Sequence, residues 1–177
     1  SFQPGLWENT PIGRVLPVYL DKIRNGPPSL ESAFDLTREG WLEPWMRLRS
    51  SKDEETNRLA YMTPFFAVNQ VSAIKPGASI LSTVIDSERR TLPAIITQRY
   101  GEGKSAAVTI ADFWRWGMKD PEQQENLARS WRQLVRWAIN EVPSRVELEK
   151  EEVNSGPLPL TKLSVRVQTK TFDPQDD

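Results

Sequence analysis

Two absences define what chemistry this 177-residue chain can do: it contains no cysteine and no histidine. Thiolate nucleophiles, disulfides and zinc sites of the Cys/His kind are excluded outright. So are imidazole general bases and the Ser-His or Cys-His pairs built on them. Any catalysis would rest on carboxylates, lysine, tyrosine, serine or threonine. The leading binding candidates are Asp112, Trp114, Arg115 and Trp116. They follow at once on an apolar run, residues 105–110, that reads as a strand. Ligand sites in open α/β sheets gather at strand carboxyl ends, and Trp and Arg are favoured where binding energy concentrates. Against this stands a structural role, in which Trp114 and Trp116 cover the sheet edge and Asp112 caps the next turn or pairs with Arg115. The structural role is the favoured reading, because aromatic rings carry much of any core.

Other constellations are weaker. Gly103-Lys104-Ser105 has the ending of a phosphate-binding loop, GxxxxGK[ST]. The position of its first glycine holds Gln98, however, and a strand rather than a helix should follow. Asp53-Glu54-Glu55 could offer oxygens to a hard cation, but reads as a solvated face. Asp35, Glu39 and Glu43 are near one another in sequence, with nothing to bring two of them together for acid–base work. Trp41 and Trp45 could form a ligand platform and read instead as the closure of a hydrophobic loop. No catalytic residue, metal site or cofactor is expected.

The totals narrow the partners. A formal net charge of -1 and a pI of about 5.7 leave no basic excess to neutralise phosphates, so nucleic-acid binding is not expected. Charged residues at 27% and hydrophobic ones at 38% give the profile of a soluble globular protein. No apolar run approaches the roughly 20 residues of a membrane span, and no signal peptide is visible. The chain opens on Ser1 rather than Met, which suggests a part of a longer protein. Its length suits one domain with a real core, or one domain and a fragment.

The elements that must position the candidate site centre on PAIITQRYGEGKSAAVTIADFWRWG. Residues 94–98 read as a buried strand and 105–110 as its return, with Gly101 and Gly103 flanking Glu102 in a tight turn. Two further strands are expected at 70–74 and 79–85, and 86–91 is a charged hairpin tip. Their short connections favour antiparallel neighbours. Upstream, Thr10 and Pro11 should cap a short helical turn, 15–20 is an extended segment broken by Pro17, and 25–28 is a turn. A short strand is expected at 33–37, then a turn over Arg38-Glu39-Gly40, an aromatic loop or helical turn at 41–45, an exposed polar stretch at 50–56, and one or two helical turns at 57–62. One strong helix follows Asp120, with Pro121 at its first position and Gln123 as a capping-box residue. Its apolar face is Leu127, Trp131, Leu134 and Ala138, widened by Ala128, Val135 and Ile139, and Pro143 should end it. Beyond lie an alternating strand at 145–150, a linker at 151–159, a second alternating strand at 163–169 and a frayed acidic end.

Several of these segments together resemble a known family. They are SFQPGLWENTPIGRVLPV, FDLTREGW, KPGASIL, PAIITQRYGEGKSAAVTIADFWRW and the SWRQLVRW helix, and they span most of residues 1–143. The chain resembles the class I glutamine amidotransferase-like domain of large bacterial membrane proteins that also carry a von Willebrand factor A-type domain. The resemblance implies an α/β, flavodoxin-like layered sheet with helices over 1–143. That domain would be incomplete, its opening βα units missing, with 144–177 as a linker and the first strand or strands of a β-sandwich. Working glutamine amidotransferases use a cysteine on a strand–helix elbow and a His-x-Glu pair after a late strand. The late strand matches 105–110, but Ala111, Asp112, Phe113 and Trp114 follow it, and the elbow would lie upstream of Ser1. The resemblance therefore implies a degenerate member: a non-catalytic scaffold or interaction domain of a membrane-anchored protein. Its partners would be a protein or other domains of the same polypeptide, with no membrane insertion by this segment. Two alternatives stand beside it: a hydrolase or amidotransferase whose nucleophile lies upstream, and a small-molecule sensor using the strand-end cleft.

Overall fold

The computed structural model describes residues 7, 9–20, 31–71, 73–140, 146–153 and 160–167. The chain divides into two compact units, Ser1–Asn140 and Glu141–Asp177.

The first unit is built on a four-stranded sheet of order β1-β2-β3-β4 (Ser32–Leu36, Ser79–Asp86, Thr91–Tyr100 and Gly103–Val108). All three pairings are antiparallel. This is an α/β unit. The parallel strands of a flavodoxin-like layer are not found among the described residues. Side chains alternate across a strand, and β3 shows the consequence. Ile95 joins the large core cluster, with Phe34, Leu81, Val84, Phe65 and Phe113, while its neighbour Ile96 joins a smaller one with Val18, Leu20 and Val71. Both faces of the sheet are thus covered, which is why residues 94–98 form an unbroken buried run.

The β3–β4 hairpin is tighter than its three-residue reading. Tyr100 pairs with Gly103, so the loop is Gly101-Glu102 alone. Gly101 has φ 60°, a positive value at the first of two loop residues, which glycine adopts without a Cβ penalty. The expected strand at 70–74 is not continuous. Its neighbourhood makes isolated bridges instead, Val18 to Ile74 and Val68 to Ile110.

Helices flank the sheet. Helix α1 (Pro11–Val15) has Thr10 as its cap, with the Gly13 amide donating to Thr10 Oγ1 at 3.2 Å. The end of α1 lies beside the smaller cluster, where Leu16 packs. Residues 38–40 are not a turn. They open helix α2 (Arg38–Leu42), capped by Thr37, whose Oγ1 accepts from the Gly40 amide at 3.1 Å. Gly40 sits so close to β2 that a Cβ there would lie 1.9 Å from the Leu81 carbonyl oxygen. A short 3-10 turn follows at Pro44–Met46. The polar stretch expected at 50–56 is mostly the first half of helix α3 (Lys52–Tyr61), which opens on a Ser51/Glu54 capping box. Its Glu55 is fully buried rather than solvated.

A second 3-10 turn, Phe113–Met118, leads into helix α4 (Pro121–Ile139). Asp120 caps it, accepting from the Gln123 amide at 2.9 Å. Gln123 does not complete a capping box. It turns inward, is 1% exposed, and its Oε1 accepts from Trp116 Nε1 at 2.5 Å. The helix keeps only part of its expected stripe inward. Leu127 packs on the core, Trp131 sets its ring edge-on to Phe113 at 5.8 Å, and Leu134 and Ala138 are half-buried, while Gln123 and Asn126 are buried and Val135 and Ile139 are exposed. Polar side chains with internal partners displaced part of the apolar stripe from the interface. The expected stop at Pro143 and the turn at 25–28 lie outside the described residues.

The second unit is an antiparallel hairpin, β5 (Val146–Val153) and β6 (Leu160–Val167), in register from Val146–Val167 to Val153–Leu160. β5 therefore runs three residues further than the alternation at 145–150 indicated. Leu163 and Val165 are exposed on it. The remainder of the expected linker and the acidic end lie outside the described residues.

Candidate functional site

The candidate site forms where the chain leaves β4. Thr109 Oγ1 donates to the Pro93 carbonyl at 2.6 Å, and the Ala111 amide donates to the Ala67 carbonyl at 2.7 Å. These bonds set the exit of the strand beside the loop that follows α3. Asp112 then fastens that loop: Oδ2 accepts from the Phe66 amide at 2.9 Å and Oδ1 from the Ala67 amide at 3.2 Å. Asp112 stands at the N-cap position of the 3-10 turn but makes no side-chain cap. Its expected capping role is replaced by this reach across 45 residues or more of sequence. Its expected pairing with Arg115 is present as an ion pair, with Arg115 Nε 3.7 Å from Oδ2, longer than a hydrogen bond.

The two tryptophans part company. Trp116 is 2% exposed and belongs to the core. Its ring lies 5.6 Å from Phe113 in an edge-on arrangement, and the Arg58 guanidinium sits 5.3 Å from its centroid. Trp114 points out and is 57% exposed. With Thr63, Pro64, Arg115, Met118 and Lys119 it lines an open cleft of about 450 Å³. Of the four predicted residues, Trp114 and Arg115 line the cleft, Asp112 shapes its wall from behind, and Trp116 does not reach it.

Around the cleft lies more aromatic surface than the sequence had indicated. Tyr61 is 54%, Phe66 44% and Met118 73% exposed. The Lys119 ammonium lies 3.4 Å from the centre of the Tyr61 ring and donates to the Tyr61 carbonyl at 2.6 Å. The Arg115 guanidinium lies 5.0 Å from the centre of the Phe66 ring. Both are cation–π contacts. Met118 and Lys119 could have been found by extending the candidate run a few residues. Tyr61 and Phe66 had no such signal, since Phe66 arrives through the Asp112 bridge and Tyr61 through Lys119.

The other sequence candidates are dispersed. Ser105 Oγ donates to the Val15 carbonyl at 2.7 Å, and Lys104 Nζ lies 3.4 Å from the Trp137 carbonyl, so the Gly-Lys-Ser triplet serves strand packing. Trp41 and Trp45 form no shared platform. Trp45 stacks on Trp137 at 4.9 Å, and Trp41 lines a second cleft of about 290 Å³ with Phe34, Asp35 and Leu59. The Asp35 carboxylate accepts from the neighbouring Leu36 amide at 2.8 Å. Among the described residues no group of three acidic side chains converges as a metal site, and no helix is long and apolar enough to cross a membrane.

Comparison with protein-family models, with curated proteins and with solved structures finds no match to this chain. Its chemistry is therefore read from the site alone. Among the described lining residues are two cations, one hydroxyl, a proline, a tryptophan and a methionine, with no carboxylate. Such a lining can desolvate an apolar group and neutralise an anionic one. It holds no paired groups that could pass a proton between them.

Asp86 and Lys75, elsewhere in the unit, are displaced by their surroundings. Burial alone would raise the Asp86 carboxyl. The Arg90 amide, the Arg90 guanidinium at 2.6 Å and the Glu88 amide outweigh it and hold the carboxyl below its ordinary value. Lys75 is lowered by burial, with its ammonium donating to the Gly13 and Arg14 carbonyls at 2.6 and 2.9 Å at the end of α1. Both groups organise turns and lie apart from the cleft lining.

Proposed function

We propose that this chain is a non-catalytic scaffold or interaction module of a larger, membrane-anchored bacterial protein, flavodoxin-like in its complete form. It engages a protein partner, or another domain of the same polypeptide, through the cleft at the end of β4. The observation that carries this reading is the cleft itself, where exposed Trp114 and Met118 stand beside Arg115 and Lys119. Trp, Tyr, Phe, Met and Arg are the residues enriched at protein interfaces, and Trp, Tyr and Arg concentrate at their hot spots. The family-like segments support the larger context, and a sequence with neither cysteine nor histidine supports the non-catalytic part.

The test has two arms. Purified protein is assayed for glutaminase and ester hydrolase activity, with none above background expected. Turnover abolished by a single substitution in this chain would overturn the non-catalytic reading. In cells, a photo-crosslinking amino acid replaces Trp114 or, as a control, the exposed Glu102 on the β3–β4 turn. A discrete adduct is expected at position 114 only, and identical patterns at both positions would remove the cleft from the interaction.

A further inference from the structure

We infer that the cleft receives an acidic segment of a protein partner, one in which an Asp or Glu lies within a residue or two of a large apolar side chain. The inference rests on the interaction reading above and specifies its partner.

Charge is the first argument. The chain as a whole carries a formal net charge of -1, yet the described cleft lining has two cations and no anion. The nearest carboxylate, Asp112, is buried and accepts from two backbone amides, 2.9 and 3.2 Å away. It also pairs with Arg115, whose buried Nε lies 3.7 Å from Oδ2 while the side chain as a whole stays 42% exposed. The exposed part of the Arg115 side chain and the exposed Lys119 are the groups that can meet an incoming carboxylate.

Preorganisation is the second. Lys119 is held over the Tyr61 ring and by the Tyr61 carbonyl, and Arg115 lies over Phe66. The loop bearing Phe66 is fastened by Asp112. Cationic groups that are already placed lose little side-chain freedom when an anion arrives.

Shape and apolarity decide the class of partner. Trp114, Pro64 and Met118 give the cleft an apolar wall, and about 450 Å³ accommodates one large side chain with its neighbours. The concavity suits an inserted side chain, whereas a bilayer surface is met by protruding apolar groups. The lack of base-stacking steps along a basic groove sets it apart from a single-stranded nucleic-acid channel.

The experiment is selection of displayed random heptapeptides on the 177-residue chain, followed by fluorescence anisotropy with an enriched peptide. Enriched sequences should pair Asp or Glu with Trp, Phe, Leu or Met. Binding should weaken as salt is raised. Lys119→Glu should weaken it about tenfold, the equivalent of 1.4 kcal/mol, and should shift a repeated selection away from acidic peptides. Trp114→Ala should weaken binding to every enriched peptide. Both side chains are exposed, and unchanged circular dichroism and melting temperature would verify that the variants fold. Enrichment of neutral or basic peptides at this cleft would overturn the inference and leave the docking reading standing. No enriched family at all would defeat both. Sedimentation with phosphatidylserine vesicles that is lost in Trp114→Ala, without peptide selection, would replace the acidic segment by a membrane surface.

Discussion

Arg58 Nε and Nη2 lie 3.0 and 2.5 Å from Glu55 Oε1, one helical turn apart on α3, and neither side chain has more than 4% of its surface exposed. The other carboxylate oxygen, Oε2, accepts from the Leu48 amide at 3.1 Å and the Arg49 amide at 2.9 Å. The guanidinium in turn lies against Trp116. One buried pair therefore links the helix, the loop before it and the aromatic residue behind the candidate site.

Removing Arg58 should be costly, because it strands a carboxylate in the interior. Arg58→Met is expected to lose about 3–5 kcal/mol of stability in urea unfolding. The double variant Glu55→Gln/Arg58→Met should recover part of that loss. Gln keeps an acceptor for the loop amides and carries no charge to bury. A double variant less stable than Arg58→Met would show that the buried charge is not the source of the cost.

Asp112 is predicted to organise the cleft from behind. Asp112→Ala leaves the Phe66 and Ala67 amides without their acceptor, and an unsatisfied buried group costs about 1–3 kcal/mol. Amide hydrogen exchange should accelerate at Phe66 and Ala67 while the central turns of α4 keep their protection. Equal acceleration in both places would mean that Asp112 supports the whole unit rather than this loop.

Gly40 has no room for a side chain. Gly40→Ala would drive a Cβ into the Leu81 carbonyl, 1.9 Å away, and backbone cannot swing aside as a flexible side chain can. Overpacking costs about 1–3 kcal/mol, and the upper part of that range is expected. The melting temperature of Gly40→Ala against that of Gly77→Ala compares the two effects. Gly77 has φ 81° and open space around it, so its substitution tests backbone strain alone.

Asp86 predicts the acid limb of the stability profile. Its carboxyl is held below the ordinary 3.8 in the folded chain. The unfolded state therefore takes up the proton first, and stability is fully present above the unfolded value and lost as pH falls through the folded one. Asp86→Asn should flatten the pH dependence of unfolding below about pH 4 while leaving its slope near neutrality unchanged. An unaltered acid limb would assign that dependence to other carboxylates.

Much of the scaffold was legible because local backbone geometry writes it. Thr10 and Asp120 serve as helix caps through side-chain oxygens that reach an amide three residues on, and glycine at 101 supplies the positive φ of the β3–β4 turn. The alternation and branching of β1, β2 and β3 marked strands whose pairing then followed from short connections. The candidate run was legible too, in that Trp114 and Arg115 were picked out by type and by position after a strand.

What the run could not disclose was which of its members faces outward, or what meets it. Trp114 and Trp116 are two residues apart and end in opposite environments, because the 3-10 turn carries one to solvent and presents the other to Gln123 and Arg58. Glu55 sits in an acidic run and is nonetheless sealed, through partners on the 48–49 loop and Arg58. Composition, helix caps and strand period were determined by the sequence alone, since they depend on contacts within a few residues. The cleft was decided by the tertiary structure, because Tyr61 and Phe66 come to Lys119 and Arg115 only when distant segments pack and Asp112 closes two hydrogen bonds between them.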